Sequence, residues 1–273
     1  MSTATRSLAQ VLVMHPLLPL AWRVATTTGR FLRDERPSSL AVDTKSTPTD
    51  PVSEMDRRAE AAIVAEVAHA RPDDGFLGEE GAARPGSSGV RWVVDPLDGT
   101  VNYLLGLPQW AVSVGVESDG VAMIGVVDAP MLDETYVAVA GHGAWCVHHG
   151  VAERLEVRRV AHLGEALVST GFSYDAEVRV QQVAVLADII GQVRDIRRLG
   201  SAALDFCWVA RGWVDAYFER DVKPWDMAAG ALIAQEAGAV VTGVDGDDWT
   251  RLVLVGSPAV VESLGRLLRA PSA

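Results

Sequence analysis

The sequence predicts a layered α/β sandwich in which two sheets share helices between them. Two stretches of pattern point there: residues 90–158 hold apolar runs separated by turn signals, as in an antiparallel meander, and beyond about residue 160 short apolar strands alternate with helical segments. With 273 residues, 49% of them apolar, the chain has ample material for a core between such layers.

In chain order, residues 7–33 read as a first helix, and a long polar connection rich in turn formers follows from Pro37 through Pro51. A loop of that length inside a compact chain is usually functional or mobile. Met55, Ala59, Ala62, Ile63 and Val67 recur near helical period, so residues 52–70 form an amphipathic helix with Asp56 in its first turns. Phe76-Leu77 is a short strand ending at Gly78-Glu79-Glu80, and a Gly/Pro/Ser loop leads to the strand of Val90 to Val94. Asp119-Gly120 is a two-residue hairpin signal between strands at 110–117 and 121–127. Further strands are expected at 135–140, 144–147 and 155–158. Gly141-His142-Gly143 and His148-His149 invite phosphate-loop or metal readings, but neither has supporting spacing, and both read as hairpin loops. The second half is expected as strand 166–170, helix 178–190, strand 195–199, helix 202–210, strand 214–219, helix 225–237, strands 239–242 and 252–255, and helix 258–269.

A formal charge of −12 argues against nonspecific nucleic-acid binding through the phosphate backbone, and a negatively charged substrate would need a cation to bring it in. His15, Pro16 and Pro19 interrupt the apolar stretch Val11 to Ala21, which reads as helical core rather than a signal segment, and no run is long enough to span a membrane. Cys146 and Cys207 lie in apolar surroundings without metal or redox spacing, as buried free thiols of a cytoplasmic protein would. Only Lys45 and Lys223 are lysines among the 24 basic residues.

Asp95-Pro96-Leu97-Asp98-Gly99-Thr100 leaves the end of the strand 90–94 on a tight turn. Carboxylates and a backbone carbonyl are hard oxygen ligands suited to Mg²⁺ or Mn²⁺, and Asp95 and Asp98 sit side by side cheaply only if a cation neutralises their repulsion. Asp56, Glu79 and Asp226 are further acids placed where a strand ends or a helix begins. Each alone reads equally well as a cap or a first-turn acid favoured by the helix dipole. As a set with the hexapeptide they supply carboxylates for two or three divalent ions.

The chain resembles the inositol monophosphatase family, within the magnesium-dependent, lithium-sensitive sugar phosphatases. The segments that carry the resemblance are Lys45 with residues 49–56, Gly78-Glu79-Glu80, residues 92–103, Gly200-Ser201-Ala202-Ala203, residues 215–219 and residues 225–230, in family order over nearly the whole chain. The resemblance implies an αβαβα sandwich of the inositol monophosphatase and fructose-1,6-bisphosphatase type. It also implies one domain over residues 1–273, with sub-halves at 1–160 and 161–273.

It further implies roles. Glu79, Asp95 and the carbonyl of Leu97 would hold one Mg²⁺, and Asp95, Asp98 and Asp226 a second, with Glu79 available to a third through water. Such a pair of ions, about 4 Å apart, clamps the attacking water and the phosphate oxygens of an in-line displacement. Thr100 and Asp56 would orient and deprotonate that water. The amides of Gly99 and Thr100 would receive phosphate oxygens, the glycine leaving them unobstructed. Asp98, Ala202, Ala203 and Glu219 match positions that bind ring hydroxyls, with Lys45 and Ser173 as further substrate candidates. The implied reaction is hydrolysis of a small phosphorylated polyol, with myo-inositol 1-phosphate first. Fructose 1,6-bisphosphate, histidinol phosphate and a 3′-phosphorylated adenosine nucleotide are the rivals. A homodimer and lithium sensitivity are likewise implied. A non-catalytic dimeric scaffold or regulator is the reading from another class, and it predicts loss of one or more acids.

Overall fold

The computed structural model describes residues 5–36, 42–44, 51–243 and 251–269, so Lys45 lies outside the described residues. The first strand, β1 (Thr5–Ser7), runs into a short helix, α1 (Leu8–Leu12), whose capping box joins Ser7 and Gln10. The single helix expected over 7–33 is in fact two, because Pro16 supplies no N–H and cannot continue a turn. The chain restarts as α2 (Leu18–Asp34) with Pro19 in the first turn, where a missing N–H costs nothing.

A two-stranded ribbon of β2 (Val42–Thr44) and β3 (Pro51–Ser53) leads into α3 (Glu54–Ala70). Then come β4 (Gly75–Gly78), β5 (Ala83–Arg84), β6 (Val90–Asp98) and the short helix α4 (Thr100–Leu105). The meander follows as β7 (Ala111–Ser118), β8 (Val121–Ala129), β9 (Glu134–Val139), β10 (Gly143–His148) and β11 (Val151–Arg154). With β1 at one edge and β5 at the other, these make a nine-stranded sheet, antiparallel except where β4 runs parallel to β6. The hairpin at Asp119-Gly120 forms with both residues at positive φ, 50° and 82°, as its two-residue turn requires.

The strand expected at 155–158 is instead β11, four residues earlier. Leu155 and Val157 are buried alternately with polar neighbours, which mimics a strand, but the Val157 amide donates to Ala237 rather than to a sheet neighbour. β1 carried no signal, since all three of its residues are exposed.

The second half alternates as anticipated: β12 (Leu167–Thr170), α5 (Ala176–Ile190), β13 (Asp195–Arg197), α6 (Ala202–Ala210), β14 (Ala216–Glu219) and α7 (Pro224–Glu236). β15 (Val240–Gly243), β16 (Val253–Gly256) and α8 (Pro258–Arg269) complete it. The five strands order as β13-β12-β14-β16-β15, the first three parallel.

Among the described residues, three apolar cores fill the junctions of five layers, the second spanning both sides of the middle helices. The face of the large sheet carrying Trp92, Val94, Val114 and Val126 packs on α2 and α3. Its other face, with Val127, Tyr136 and Ala138, meets α6 and α7, which in turn carry Tyr217 and Val255 of the small sheet. The outer face of the small sheet, with Val168 and Leu254, is covered by α5 and α8. This is the αβαβα sandwich. The middle layer approaches closely because Gly115 and Gly125 stand opposite each other across β7 and β8. A Cβ on Gly115 would come within 2.6 Å of the Ala228 Cβ, and one on Gly125 within 2.5 Å of the Ala229 carbonyl oxygen. Among the described residues no helix is long and apolar enough to cross a membrane.

Candidate active site

The seam between the large sheet and the middle helices opens into a cleft of about 680 Å³. Glu79, Asp95, Leu97, Asp98, Gly99, Thr100, Ser173, Ala202, Glu219 and Asp226 all line it. The structure therefore brings together most of the residues that the sequence singles out, with Asp56 just behind Thr100.

β6 supplies the centre. It does not end at Val94 but continues to Asp98 through a register shift between Asp95 and Asp98, so both acids sit in a bulge of the strand rather than beyond its end. Bulges re-aim side chains, and this one lets two acids close in sequence face the same cleft. Asp95 Oδ1 accepts from the Leu97 amide at 2.9 Å, the self-closing turn expected of an aspartate. The Thr100 hydroxyl lies 3.1 Å from Asp56 Oδ1 and 3.1 Å from the Leu97 carbonyl oxygen. Asp56 is fully buried in the first turn of α3.

Gly99 has φ 91°, a conformation glycine adopts freely. A Cβ there would meet the Gln109 carbonyl oxygen at 2.9 Å and that of Gly200 at 3.1 Å. The glycine is thus required by backbone packing beside the cleft as well as by any ligand above it.

Asp98 is bound to the start of α6. Its Oδ2 accepts from the Ser201 hydroxyl at 2.6 Å and the Ala203 amide at 2.7 Å, and its Oδ1 from the Ala202 amide at 3.3 Å. Ala203 is fully buried, so its amide serves Asp98 and does not face a ligand, contrary to its expected place among the hydroxyl-binding groups. Asp226 stands in the first turn of α7 and accepts from the Lys223 amide at 2.8 Å. Glu219, at the end of β14, accepts from the Tyr217 hydroxyl at 2.8 Å, and the missing side chain of Gly171 makes room for it. Ser173 uses its hydroxyl to hold the Asp175 amide at 3.1 Å.

These carboxylates oppose one another. Burial pushes Asp95 well above the usual carboxylate range, and the charges of Glu79, Asp98 and Asp226 add to it. Burial likewise lifts Asp98 to about 6 against the pull of its three donors, and raises Asp226 well above its ordinary value. Glu219 is pushed up to about 7, again chiefly by burial. Among the described residues, the cationic side chains that line the cleft are Arg198, Arg220 and Lys223, all three exposed. Glu79, Asp95, Asp98, Asp226 and the Leu97 carbonyl are all hard oxygen donors, and a divalent cation among them would turn mutual repulsion into attraction.

Supporting residues carried weaker signals. Glu60 accepts from the Glu80 amide at 2.8 Å and the Ala82 amide at 2.9 Å, which fixes the turn that carries Glu79. Its place on the buried stripe of α3, one turn after Asp56, was the available clue. Asn102 donates to the carbonyls of Gln109 at 2.6 Å and Leu199 at 2.8 Å, tying α4 to the approach of α6. Nothing local in the sequence announces that span.

An acid-lined cleft of this kind on a five-layer sandwich is that of a phosphoric monoester hydrolase. The chain belongs to the inositol monophosphatase family, whose profile matches residues 13–270. It is 43% identical over 265 residues to an inositol-1-monophosphatase of Mycobacterium leprae (strain TN), covering 90% of each chain. It is 39% identical over 237 residues to a protein of Pasteurella multocida (strain Pm70) named Nus factor SuhB, covering 85% of this chain and 87% of that one. Among solved structures, the extragenic suppressor protein suhB from Bartonella henselae superposes with a TM-score of 0.87 at 36% identity, over 93% of this chain and 99% of that one.

Proposed function

We propose that the chain hydrolyses a small phosphorylated polyol, myo-inositol 1-phosphate first among them, with Mg²⁺ as cofactor. The observation that carries the reading is the burial of Asp95, Asp98 and Asp226 around one cleft with Glu79, an arrangement that repels itself until cations enter. Glu79, Asp95 and the Leu97 carbonyl would hold one ion and Asp95, Asp98 and Asp226 a second, with Glu79 also available to a third. When bound, these ions neutralise phosphate charge and make water acidic enough to attack at neutral pH. The Thr100 hydroxyl accepts the proton of the attacking water and passes its own to Asp56 Oδ1, 3.1 Å away. The amides of Gly99 and Thr100 receive phosphate oxygens at the start of α4. Glu219, with Ser173 and Ala202 nearby, faces the alcohol, and its carboxylate accepts from vicinal hydroxyls. Ala203 contributes only through Asp98.

A phosphate-release panel with and without Mg²⁺, covering inositol 1-phosphate, fructose 1,6-bisphosphate, histidinol phosphate and adenosine 3′,5′-bisphosphate, tests this. Mg²⁺-dependent release, greatest from inositol 1-phosphate and inhibited by Li⁺, is the expected result. A preference of about tenfold for histidinol phosphate, which is only ~1.4 kcal/mol of binding, overturns the substrate and keeps the chemistry. Release from none of the four overturns the chemistry. The Pasteurella relative is named as a factor rather than as an enzyme, which leaves the non-catalytic scaffold or regulator as a second reading. The complete set of acids in the cleft weighs against it.

A further inference from the structure

Two hairpin turns, β8 to β9 and β10 to β11, lie side by side, because Val147 of β10 pairs with Thr135 of β9. One turn brings His148 and His149 and the other Asp133. Successive strand residues point to opposite faces, which is why a His-His pair in a hairpin carries little promise as a ligand set. Here the alternation is broken. His149 has φ 49° and Asp133 φ 56°, both left-handed, and the two imidazoles end up against each other with ring centroids 3.9 Å apart and planes tilted by 37°. Both rings face one carboxylate oxygen: Asp133 Oδ2 lies 3.5 Å from His148 Nε2 and 3.2 Å from His149 Nδ1. One donor atom from each of the three residues falls within 4.8 Å of the others.

A tetrahedral ion with bonds of 2.0–2.1 Å to nitrogen and oxygen holds its ligand atoms about 3.3 Å apart. The two nitrogen-to-oxygen separations, 3.2 Å and 3.5 Å, bracket that edge. We propose that Asp133, His148 and His149 form a surface site for a borderline divalent cation of the Zn²⁺, Ni²⁺ or Cu²⁺ class, separate from the acid cleft. Imidazole selects such ions, whereas the all-oxygen donors of the cleft suit Mg²⁺ or Mn²⁺, so the two sites sort ions by chemistry. The three side chains are 64%, 51% and 74% exposed in chain order, so a cation reaches them without rearrangement of the core. Three protein ligands leave a fourth position to water. An ion there clips the two turns together.

The test titrates Zn²⁺ into the full chain, free of any affinity tag and saturated with Mg²⁺, by calorimetry and by NMR of the histidine rings. One equivalent is expected to bind and to shift the His148 and His149 ring resonances together. His148→Gln and Asp133→Asn are each expected to weaken Zn²⁺ binding by about tenfold or more, with the circular dichroism spectrum and the Mg²⁺-dependent phosphatase rate unchanged. Unchanged Zn²⁺ affinity in both variants, or ring resonances that do not move at one equivalent, overturns the proposal. Zn²⁺ binding is read without substrate, so it stands or falls apart from the phosphatase reading.

Discussion

Asp98 accepts from three donors at once, and that is why its replacement is informative. Asparagine has the same shape, but its amide would bring a second donor to the Ser201 hydroxyl or the Ala203 amide and remove a charge from the cleft. Asp98→Asn is expected to lower kcat by roughly 10²–10³-fold, read by phosphate release at saturating Mg²⁺. Glu60 acts at one remove through the turn it holds. Glu60→Gln replaces one acceptor by a donor facing an N–H, and is expected to cost roughly 10-fold in activity or Mg²⁺ affinity while the chain stays folded. Glu219 offers a pH signature. With its carboxyl pushed up to about 7, the form that accepts from substrate hydroxyls gains population as pH rises through that value. The kcat/KM profile is expected to rise there, and Glu219→Gln to remove that limb and raise KM more than it lowers kcat. If the limb persists in the variant, another group titrates.

At the scale of elements, the paired glycines of β7 and β8 set how near α7 lies to the sheet. Gly115→Val places methyl groups where Ala228 already stands, and overpacking of this kind costs about 1–3 kcal/mol, measurable as a fall in the urea midpoint. The strands themselves were legible from alternation, and the hairpin from Asp119-Gly120, because both signals are local. Gly115 and Gly125 were not, since their meaning depends on a helix more than a hundred residues later in the chain. The same holds for Asn102, which answers to the Leu199 carbonyl, and for Asp98, whose partners are the Ser201 hydroxyl and the Ala203 amide far off in sequence. The misplaced strand at 155–158 has the opposite cause: burial alternated locally, but the hydrogen-bond partner lay at Ala237. The acids of the cleft were visible because carboxylates beside apolar strand ends are costly wherever they fall; their mutual distances were not.

Across the whole molecule, the buried acids couple ionisation to stability. Asp95, Asp98, Asp226 and Glu219 all have folded-state pKa values above their ordinary ones, so the folded chain binds more protons than the unfolded chain between about pH 4 and pH 7. These groups weaken the fold as pH rises through that window and do nothing to it below. Freed of divalent ions with a chelator, the protein is therefore expected to melt at lower temperature at pH 7.5 than at pH 5.5. Mg²⁺ is expected to raise the melting temperature more at the higher pH, as read by differential scanning calorimetry. A melting temperature that rises from pH 5.5 to 7.5 under chelation would count against the acids as the main term. The bond between Asp98 and the start of α6 has a further consequence, one of order in time. Asp56 emerges in the first quarter of the chain and Asp226 in the last fifth, so a growing polypeptide holds most of the acids long before the elements that enclose them. Until α6 and α7 arrive, the end of β6 remains open to water, its carboxylates are hydrated, and their repulsion is screened. The unfavourable crowding is thus deferred to the final docking step, where a cation is most useful as a chaperone of closure.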